Sequence, residues 1–177
     1  YEGKEAEVKW QSLSTMDPYG KVDLNKPYGK LKEVTAYAYH QFDSGMAREA
    51  ELRLGCKNAW KIWLNGKLVF GRDEYHRGQR IDQYKMPIEL LKGPNTILVK
   101  LCQNEQKQDW TVQWEFQLRV CDATGAAILA TNRGVSKATQ EWNDMWNIAQ
   151  SIDSTLEIAY RHHGYPGVTH ALDSDDR

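Results

Sequence analysis

The sequence predicts a mostly β protein built from antiparallel strands, with an amphipathic helix near its C-terminal end. The first observation is a pair of apolar, aromatic-rich runs in residues 59–70 that flank Asn65 and Gly66. Asn-Gly is the strongest short hairpin signal, because both central residues of a type I′ turn have positive φ. The second is a series of further runs that alternate apolar and polar residues, as half-buried strands do. The third is a change to helical spacing of apolar residues after about residue 138.

The chain before the hairpin predicts two clear strands. Residues 1–33 are polar, with turn signals at 17–20 and 26–29 and a candidate first strand at Val8, Lys9 and Trp10. Residues 34–42 alternate small or apolar residues with aromatics and predict a strand. Residues 49–54 alternate cleanly, which predicts a half-buried strand. Its inward side chains are Ala50, Leu52 and Leu54. Its outward side chains are Glu49, Glu51 and Arg53.

The hairpin arm itself carries two tryptophans on opposite faces. Trp60 shares one face with Ile62 and Leu64, and Trp63 lies on the other, because successive strand residues point to opposite sides of a sheet. At most one of the two tryptophans is therefore free for a ligand.

After the hairpin, a polar loop at residues 71–85 leads into three more strands. The first, at 86–90, contains Pro87, which favours an edge strand or a strand start. The second, at 96–102, points Ile97, Val99 and Leu101 inward, and the third is the long alternating run 110–120. A turn at 122–125 and a short closing segment at 126–130 complete the β region.

The tail predicts an amphipathic helix over residues 138–162, because its apolar side chains fall at helical spacing. The aromatic stripe of this helix packs either on the sheets or on a neighbouring part of a larger protein. We therefore divide the chain into a β domain at 1–135, a helical appendage at 136–163 and a flexible tail at 164–177.

Composition excludes several functional classes. The 177 residues are 41% hydrophobic and 27% charged with a net charge of −1, so no basic footprint for nucleic acid is expected. No apolar run approaches a membrane span, and the first residues are too polar for a signal peptide, although a signal could have been removed or the chain could be a fragment. No nucleotide-binding, metalloprotease or serine-hydrolase motif is present, and we expect no enzyme activity.

Three cysteines without CxxC spacing argue against a zinc site and a disulfide scaffold. Cys102 and Cys121 lie on the polar parity of their strands, so a disulfide would form if those strands paired. The alternative is that all three, with Cys56, are small buried or half-buried side chains.

Two loop regions are candidates for binding. Residues 71–85 mix carboxylates, guanidinium groups and aromatics, which suit hydroxyl-rich ligands but also suit a solvated loop with local salt bridges. In the first loops, Asp17, Asp23 and Asn25 are candidate calcium ligands, although their spacing does not match an EF-hand and a solvated loop is the alternative.

The order of elements between residues 50 and 119 resembles the galactose-binding-domain-like β-sandwiches, which include carbohydrate-binding modules and the non-catalytic jelly-roll domains of glycoside hydrolases and secreted bacterial proteins. The resemblance lies in the strand 52–55, the hairpin 60–69, a charged loop with Arg80 and Asp82, the segment 91–100 and a closing strand that contains tryptophan and ends at 116–119. It implies a two-sheet antiparallel jelly roll, a structural calcium near the first loops, and sugar binding by loops at one end.

The function expected from the residues and the resemblance together is a secreted, periplasmic or cell-surface carbohydrate-binding domain. An aromatic side chain would stack on a sugar ring of a glycan or polysaccharide while Arg and Asp hold its hydroxyls. The candidate ligand-binding residues are Trp63, Arg72, Tyr75, Arg80, Asp82 and Trp110. The alternative is a structural or protein-interaction domain whose aromatic helix docks on neighbouring domains of the parent protein.

Overall fold

The computed structural model describes residues 2–133, 158–162 and 169–173. In chain order the elements within these residues are β1 (Val22–Asp23), α1 (Asn25–Tyr28), β2 (Val34–Ser44), β3 (Arg48–Cys56), β4 (Trp60–Leu64), β5 (Lys67–Arg72), β6 (Tyr84–Leu90), β7 (Gly93–Gln103), a 3₁₀ turn (Asp109–Thr111), β8 (Glu115–Cys121), β9 (Ile158–His162) and β10 (Thr169–Asp173).

Two four-stranded antiparallel sheets face each other. Sheet 1 has the order β1-β8-β3-β6 and sheet 2 the order β2-β7-β4-β5. Their inner faces share one core, in which the largest buried side chains include Leu52, Leu54, Trp60, Ile62, Leu90 and Leu101. Full burial of one such side chain contributes about 1.5–3 kcal/mol to folding. The predicted antiparallel β architecture is confirmed, and the two-sheet sandwich is compatible with a jelly roll.

The central hairpin forms as predicted. Asn65 and Gly66 have φ values of 51° and 76°, so the Asn-Gly pair occupies the left-handed positions of its turn. Trp60 is buried against Tyr84, whereas Trp63 is half-buried on the opposite face of β4. The Asn65 side chain also bonds the neighbouring turn, because its amide donates to Asn95 Oδ1 at 3.0 Å.

The Asn95 side chain stabilises the turn between β6 and β7. This fully buried side chain donates to the carbonyls of Leu91 and Gly93 and accepts the Leu91 N–H, which closes the link between β6 and β7. Pro87 lies in β6, an edge strand, and Ile97, Val99 and Leu101 point inward from β7, all as predicted.

Two strand predictions were wrong. Val8, Lys9 and Trp10 do not form a strand, since Trp10 packs edge-on against Tyr39 instead of entering a sheet. The run predicted from residue 110 becomes a strand only at Glu115, because Thr111 closes a 3₁₀ turn through its hydroxyl and the Gln106 and Gln108 carbonyls.

In the C-terminal region the structure describes only two short strands. Ile158–His162 pairs antiparallel with Thr169–Asp173, so the last five residues of the predicted helix range form a strand, as do five residues of the predicted flexible tail. Apolar spacing over so short a piece does not separate helix from strand. The rest of the predicted helix and appendage lies outside the described residues. No helix in the described ranges combines the length and apolarity that crossing a bilayer requires.

All three cysteines are free thiols that are buried or half-buried, so the second of the two alternatives is confirmed and the Cys102–Cys121 disulfide does not form. Cys102 lies on β7 of sheet 2 and Cys121 on β8 of sheet 1, and these strands do not pair. Burial raises the pKa of the core thiol of Cys56 to about 12, and it also raises the pKa of Cys121.

Candidate functional site

The outer face of sheet 2 carries an apolar row that crosses all four strands. Cross-strand registry places Tyr39 opposite Leu98, Leu98 opposite Trp63, and Trp63 opposite Leu68. Side chains opposite each other on one face lie close enough to touch. The four strands therefore present one continuous apolar line to the outside of the sandwich.

Several side chains of this face are open to solvent. Tyr37, Tyr39 and Leu68 are 47%, 54% and 51% exposed, and Trp10 is 58% exposed while its ring lies 6.5 Å from that of Tyr39. We call this surface the aromatic face and define it by Trp10, Tyr37, Tyr39, Trp63, Leu68 and Leu98. Contiguous exposed apolar surface is typical of interaction sites, so this face is a candidate binding surface.

Polar groups border the aromatic face along the neighbouring row. Lys100 lies between Tyr37 and Lys61 in registry, so two ammonium groups flank the apolar line on one side. On the other side Gln41 lies opposite Thr96. The face thus combines flat apolar rings with hydrogen-bond donors at its margin.

The loop after β5 closes one end of the aromatic face. The Tyr75 hydroxyl lies against the Cys102 thiol, and burial together with this contact raises the pKa of Tyr75. His76, in the left-handed region at φ 64°, contacts the Trp110 ring edge-on at 4.8 Å and is bonded to Asn104 at 3.0 Å. Trp110 is 57% exposed, so this end offers a further accessible tryptophan besides those of the aromatic face.

Arg72 lies at the same end, but its guanidinium already contacts neighbouring side chains. Its guanidinium covers the Phe70 ring at 5.4 Å and approaches Glu74 at 3.5 Å, and Glu74 also accepts a hydrogen bond from Arg77. These exposed contacts are local salt bridges within the loop, as the second interpretation of this loop predicted.

Asp82 lies on the other side of the sandwich, on the outer face of sheet 1. It accepts hydrogen bonds from Arg119 at 2.9 Å and from Arg53 at 3.2 Å, and Arg53 also pairs with Glu51. Burial alone would raise the pKa of Asp82, but the hydrogen bonds from Arg119 and Arg53 outweigh it and hold the pKa below its usual value. The Asp82 carboxylate is therefore saturated by protein cations.

The prediction that Arg53 faces out from its strand is confirmed, but the side chain is buried. Arg53 does point outward from β3, yet it is only 7% exposed, because Asp82 and the turn at Gly125 cover it. Alternation identified the correct side of the sheet but could not show that loops lie over that side.

Arg80 lies near Asp82 and far along the loop from Tyr75. Its backbone carbonyl packs onto Gly55, where an added Cβ would lie 2.3 Å from the Arg80 carbonyl oxygen. Arg80 also lines a cleft of about 160 Å³ together with Asp17 and Glu115. The structure thus divides the six candidate residues among three places. Trp63 lies on the aromatic face, Arg72, Tyr75 and Trp110 lie at its end, and Arg80 and Asp82 lie on sheet 1.

Two of the three candidate calcium ligands, Asp17 and Asp23, support their own turns. Asp17 Oδ1 accepts the N–H groups of Tyr19 and Lys21, and Asp23 Oδ1 accepts that of Asn25. The Asn25 amide donates to the Val112 carbonyl. In the part of the chain that the structure describes, no three His, Cys, Asp or Glu side chains gather as a metal site, so we derive no role for calcium and its binding stays a prediction.

Sequence reasoning missed Tyr37, Tyr39, Leu68 and Leu98 as members of one surface. The alternation of residues 34–42 is a signal for Tyr37 and Tyr39, since both share a parity opposite to the buried Ala36. Their union with Trp63 depends on β7 lying between β2 and β4, which no local pattern shows.

A scan against models of known protein families finds no match, and no curated protein matches the chain significantly. The geometry of the two outer faces is therefore the basis for inferring function.

Proposed function

We propose that this chain is a non-catalytic carbohydrate-binding domain of a larger secreted protein, and that it binds glycans on the aromatic face of sheet 2. The observation that carries the proposal is the exposed line of rings and apolar side chains across four strands. The resemblance of the sequence between residues 50 and 119 to galactose-binding-domain-like sandwiches supports the same class.

The shape of the face favours an extended polysaccharide over a single sugar. Tyr39 and Trp63 lie on strands separated by β7, so their backbones are about 10 Å apart at the usual strand spacing. That distance is comparable to the length of two linked pyranose rings. One ring would cover Tyr39 and the second ring along the chain from it would cover Trp63, and each stack would remove apolar C–H surface from water.

Polar side chains at the margin of the aromatic face would bind the sugar hydroxyls. Lys61 and Lys100 are placed to donate hydrogen bonds to sugar oxygens, and the Tyr37 hydroxyl lies in the same row. Asp82 and Arg80, which we expected in this role, are directed to sheet 1. An open, solvated surface of this kind gives modest affinity, because the hydroxyls keep much of their hydration.

The test is retention of the chain on insoluble polysaccharides, with cellulose, xylan and chitin as probes and titration calorimetry on soluble oligosaccharides. We expect Trp63→Ala and Tyr39→Ala each to weaken binding about tenfold or more. The matched control is Trp110→Ala, which removes a tryptophan that is 57% exposed and lies outside the aromatic face, and it should leave binding within a factor of two.

Three outcomes would contradict the proposal. The first is that none of the polysaccharides retains the chain. The second is that the Trp110→Ala variant loses binding while Trp63→Ala does not. The third is that the face binds protein instead of glycan. The last outcome is the structural or interaction domain, and the aliphatic side chains Leu68 and Leu98 on the face favour it. It would appear as self-association or partner binding that Trp63→Ala and Tyr39→Ala abolish.

A further inference from the structure

A second concave surface lies along the side of the sandwich where the edge strands β5 and β6 face each other. This groove encloses about 870 Å³. Its floor is apolar and includes Ala50, Val69 and Ile88, and its rim carries the carboxylates of Glu49, Glu51 and Glu89. We call it the edge groove and define it by these six residues.

The charges of the edge groove are unbalanced. Three glutamates line it against one lysine, Lys67. Registry places Glu49 directly opposite Glu89 on the β3–β6 pair, and like charges in that position repel. Glu51 is paired with Arg53, but within the described ranges neither Glu49 nor Glu89 has a cationic partner.

The groove follows the direction of a strand. Along β6, Ile88 points toward the apolar floor while Pro87 and Glu89 point outward, so the two chemistries alternate with a period of two. An extended segment lying beside β6 would present its own side chains with the same alternation. Pro87 has no N–H, so backbone pairing with β6 would be incomplete and recognition would depend on side chains.

We propose that the edge groove binds an extended peptide segment of a protein partner in which basic and apolar residues alternate. Its apolar side chains lie over Ile88 and Val69 between the sheets. Its lysine or arginine side chains reach Glu49 and Glu89 and replace their mutual repulsion with attraction. This surface meets the aromatic face at Leu68, which lines both, but the groove lies at the strand edges and not on the flat of sheet 2.

The test uses a fluorescein-labelled peptide of the sequence Lys-Val-Lys-Val-Lys-Val-Lys, followed by fluorescence anisotropy on the full chain. Two control peptides replace every Lys by Glu or every Val by Ser. We expect saturable binding of the first peptide, weakened at least tenfold by either replacement and weakened by added salt, because exposed charges are screened.

The variant Glu49→Gln/Glu89→Gln should weaken peptide binding at least tenfold. It should also raise the urea midpoint slightly, because it removes a like-charge pair, so its loss of binding is not a loss of folding. The matched control Glu5→Gln/Glu105→Gln removes the same charge at exposed positions elsewhere and should bind normally. Trp63→Ala should also bind normally, which separates this site from the aromatic face.

The proposal is overturned if the peptide does not bind, if the Glu-containing peptide binds as tightly, or if the control pair loses as much affinity as Glu49→Gln/Glu89→Gln. It is also overturned if sedimentation shows a dimer of this chain that the Glu49→Gln/Glu89→Gln variant dissolves while the peptide fails to bind, since a second copy would then be the occupant.

Discussion

On the outer face of sheet 1, the row Arg119, Arg53 and Lys85 crosses three strands, whereas on the outer face of sheet 2 the row Tyr39, Leu98, Trp63 and Leu68 crosses four. The first row consists of cations that lie directly opposite one another. Such a row is stable only if anions are brought to it. Asp82 and Glu51 supply them, and they hold the covering segment in place.

The covering of sheet 1 uses three separate segments. Asp82 arrives with the loop after β5, Gly125 lies over Arg53, and the Tyr19 carbonyl accepts a hydrogen bond from Gln117. Sheet 2 keeps exposed rings, with Trp10 resting on Tyr39 at one margin. The polar side chains on the outer face of sheet 1 are therefore used in internal hydrogen bonds and salt bridges, whereas the outer face of sheet 2 leaves apolar surface exposed.

The largest effect expected from this difference is the loss of Asp82. Asp82→Ala leaves two guanidinium groups facing each other in a largely covered site, which should cost about 3 kcal/mol of unfolding free energy. Tyr39→Ala on the open face should cost less than about 1 kcal/mol. Urea denaturation followed by tryptophan fluorescence measures both. Equal losses in the two variants would remove the distinction between the faces, and Asp73→Ala, an exposed carboxylate on the same loop, is the control.

Gly55→Ala tests the covering of sheet 1 without changing a charge. An added Cβ would lie 2.3 Å from the Arg80 carbonyl oxygen, so the loop must shift, at a cost of about 1–3 kcal/mol. Gly45→Ala is the matched control, because its Cβ would meet only Thr131 Cγ2 at 3.6 Å. The midpoints of thermal unfolding compare the two. A Gly55→Ala chain as stable as Gly45→Ala would mean that the loop is not held against sheet 1.

The pH dependence of stability should come from sheet 1. The pKa of Asp82 is lowered in the folded protein, because the hydrogen bonds from Arg119 and Arg53 outweigh burial. Its contribution is therefore fully present above the unfolded pKa of about 4 and is lost as pH falls through the lower folded value. Urea midpoints between pH 6 and pH 2 should fall more steeply for the native chain than for Asp82→Asn. Parallel curves would contradict this assignment.

The smallest expected effect is a difference in thiol reactivity, because the cysteines report how accessible each outer face is to solvent. Cys102 is half-exposed on the outer face of sheet 2, whereas Cys121 is buried on that of sheet 1 and Cys56 is buried in the core. Burial also raises the pKa of Cys56 and Cys121, which keeps them as unreactive thiols. We expect one rapid reaction per folded chain with a thiol-specific chromogenic disulfide, absent in Cys102→Ser. Fast labelling of Cys121 would show that sheet 1 is open.

Local patterns predicted most of the β-sheet elements. The Asn65-Gly66 turn, the inward faces of β3 and β7, the opposite orientations of Trp60 and Trp63, and the edge position of Pro87 all follow from turn chemistry and from alternation over a few residues. The same reasoning placed Arg53 on the outer side of its strand correctly. It could not show that Asp82, 29 residues away in the chain, would bury it.

Local patterns in the sequence are sufficient to predict most of the strands and which side chains share a face, because pleating and turn geometry act between near neighbours in the chain. Which strands lie side by side, and which face a loop covers, depends on how the two sheets pack in three dimensions. β7 joins Tyr39 to Trp63, β6 brings Glu89 opposite Glu49, and the loop after β5 turns Asp82 toward Arg53. Those pairings depend on packing two sheets around one core, so the binding surfaces belong to the fold as a whole.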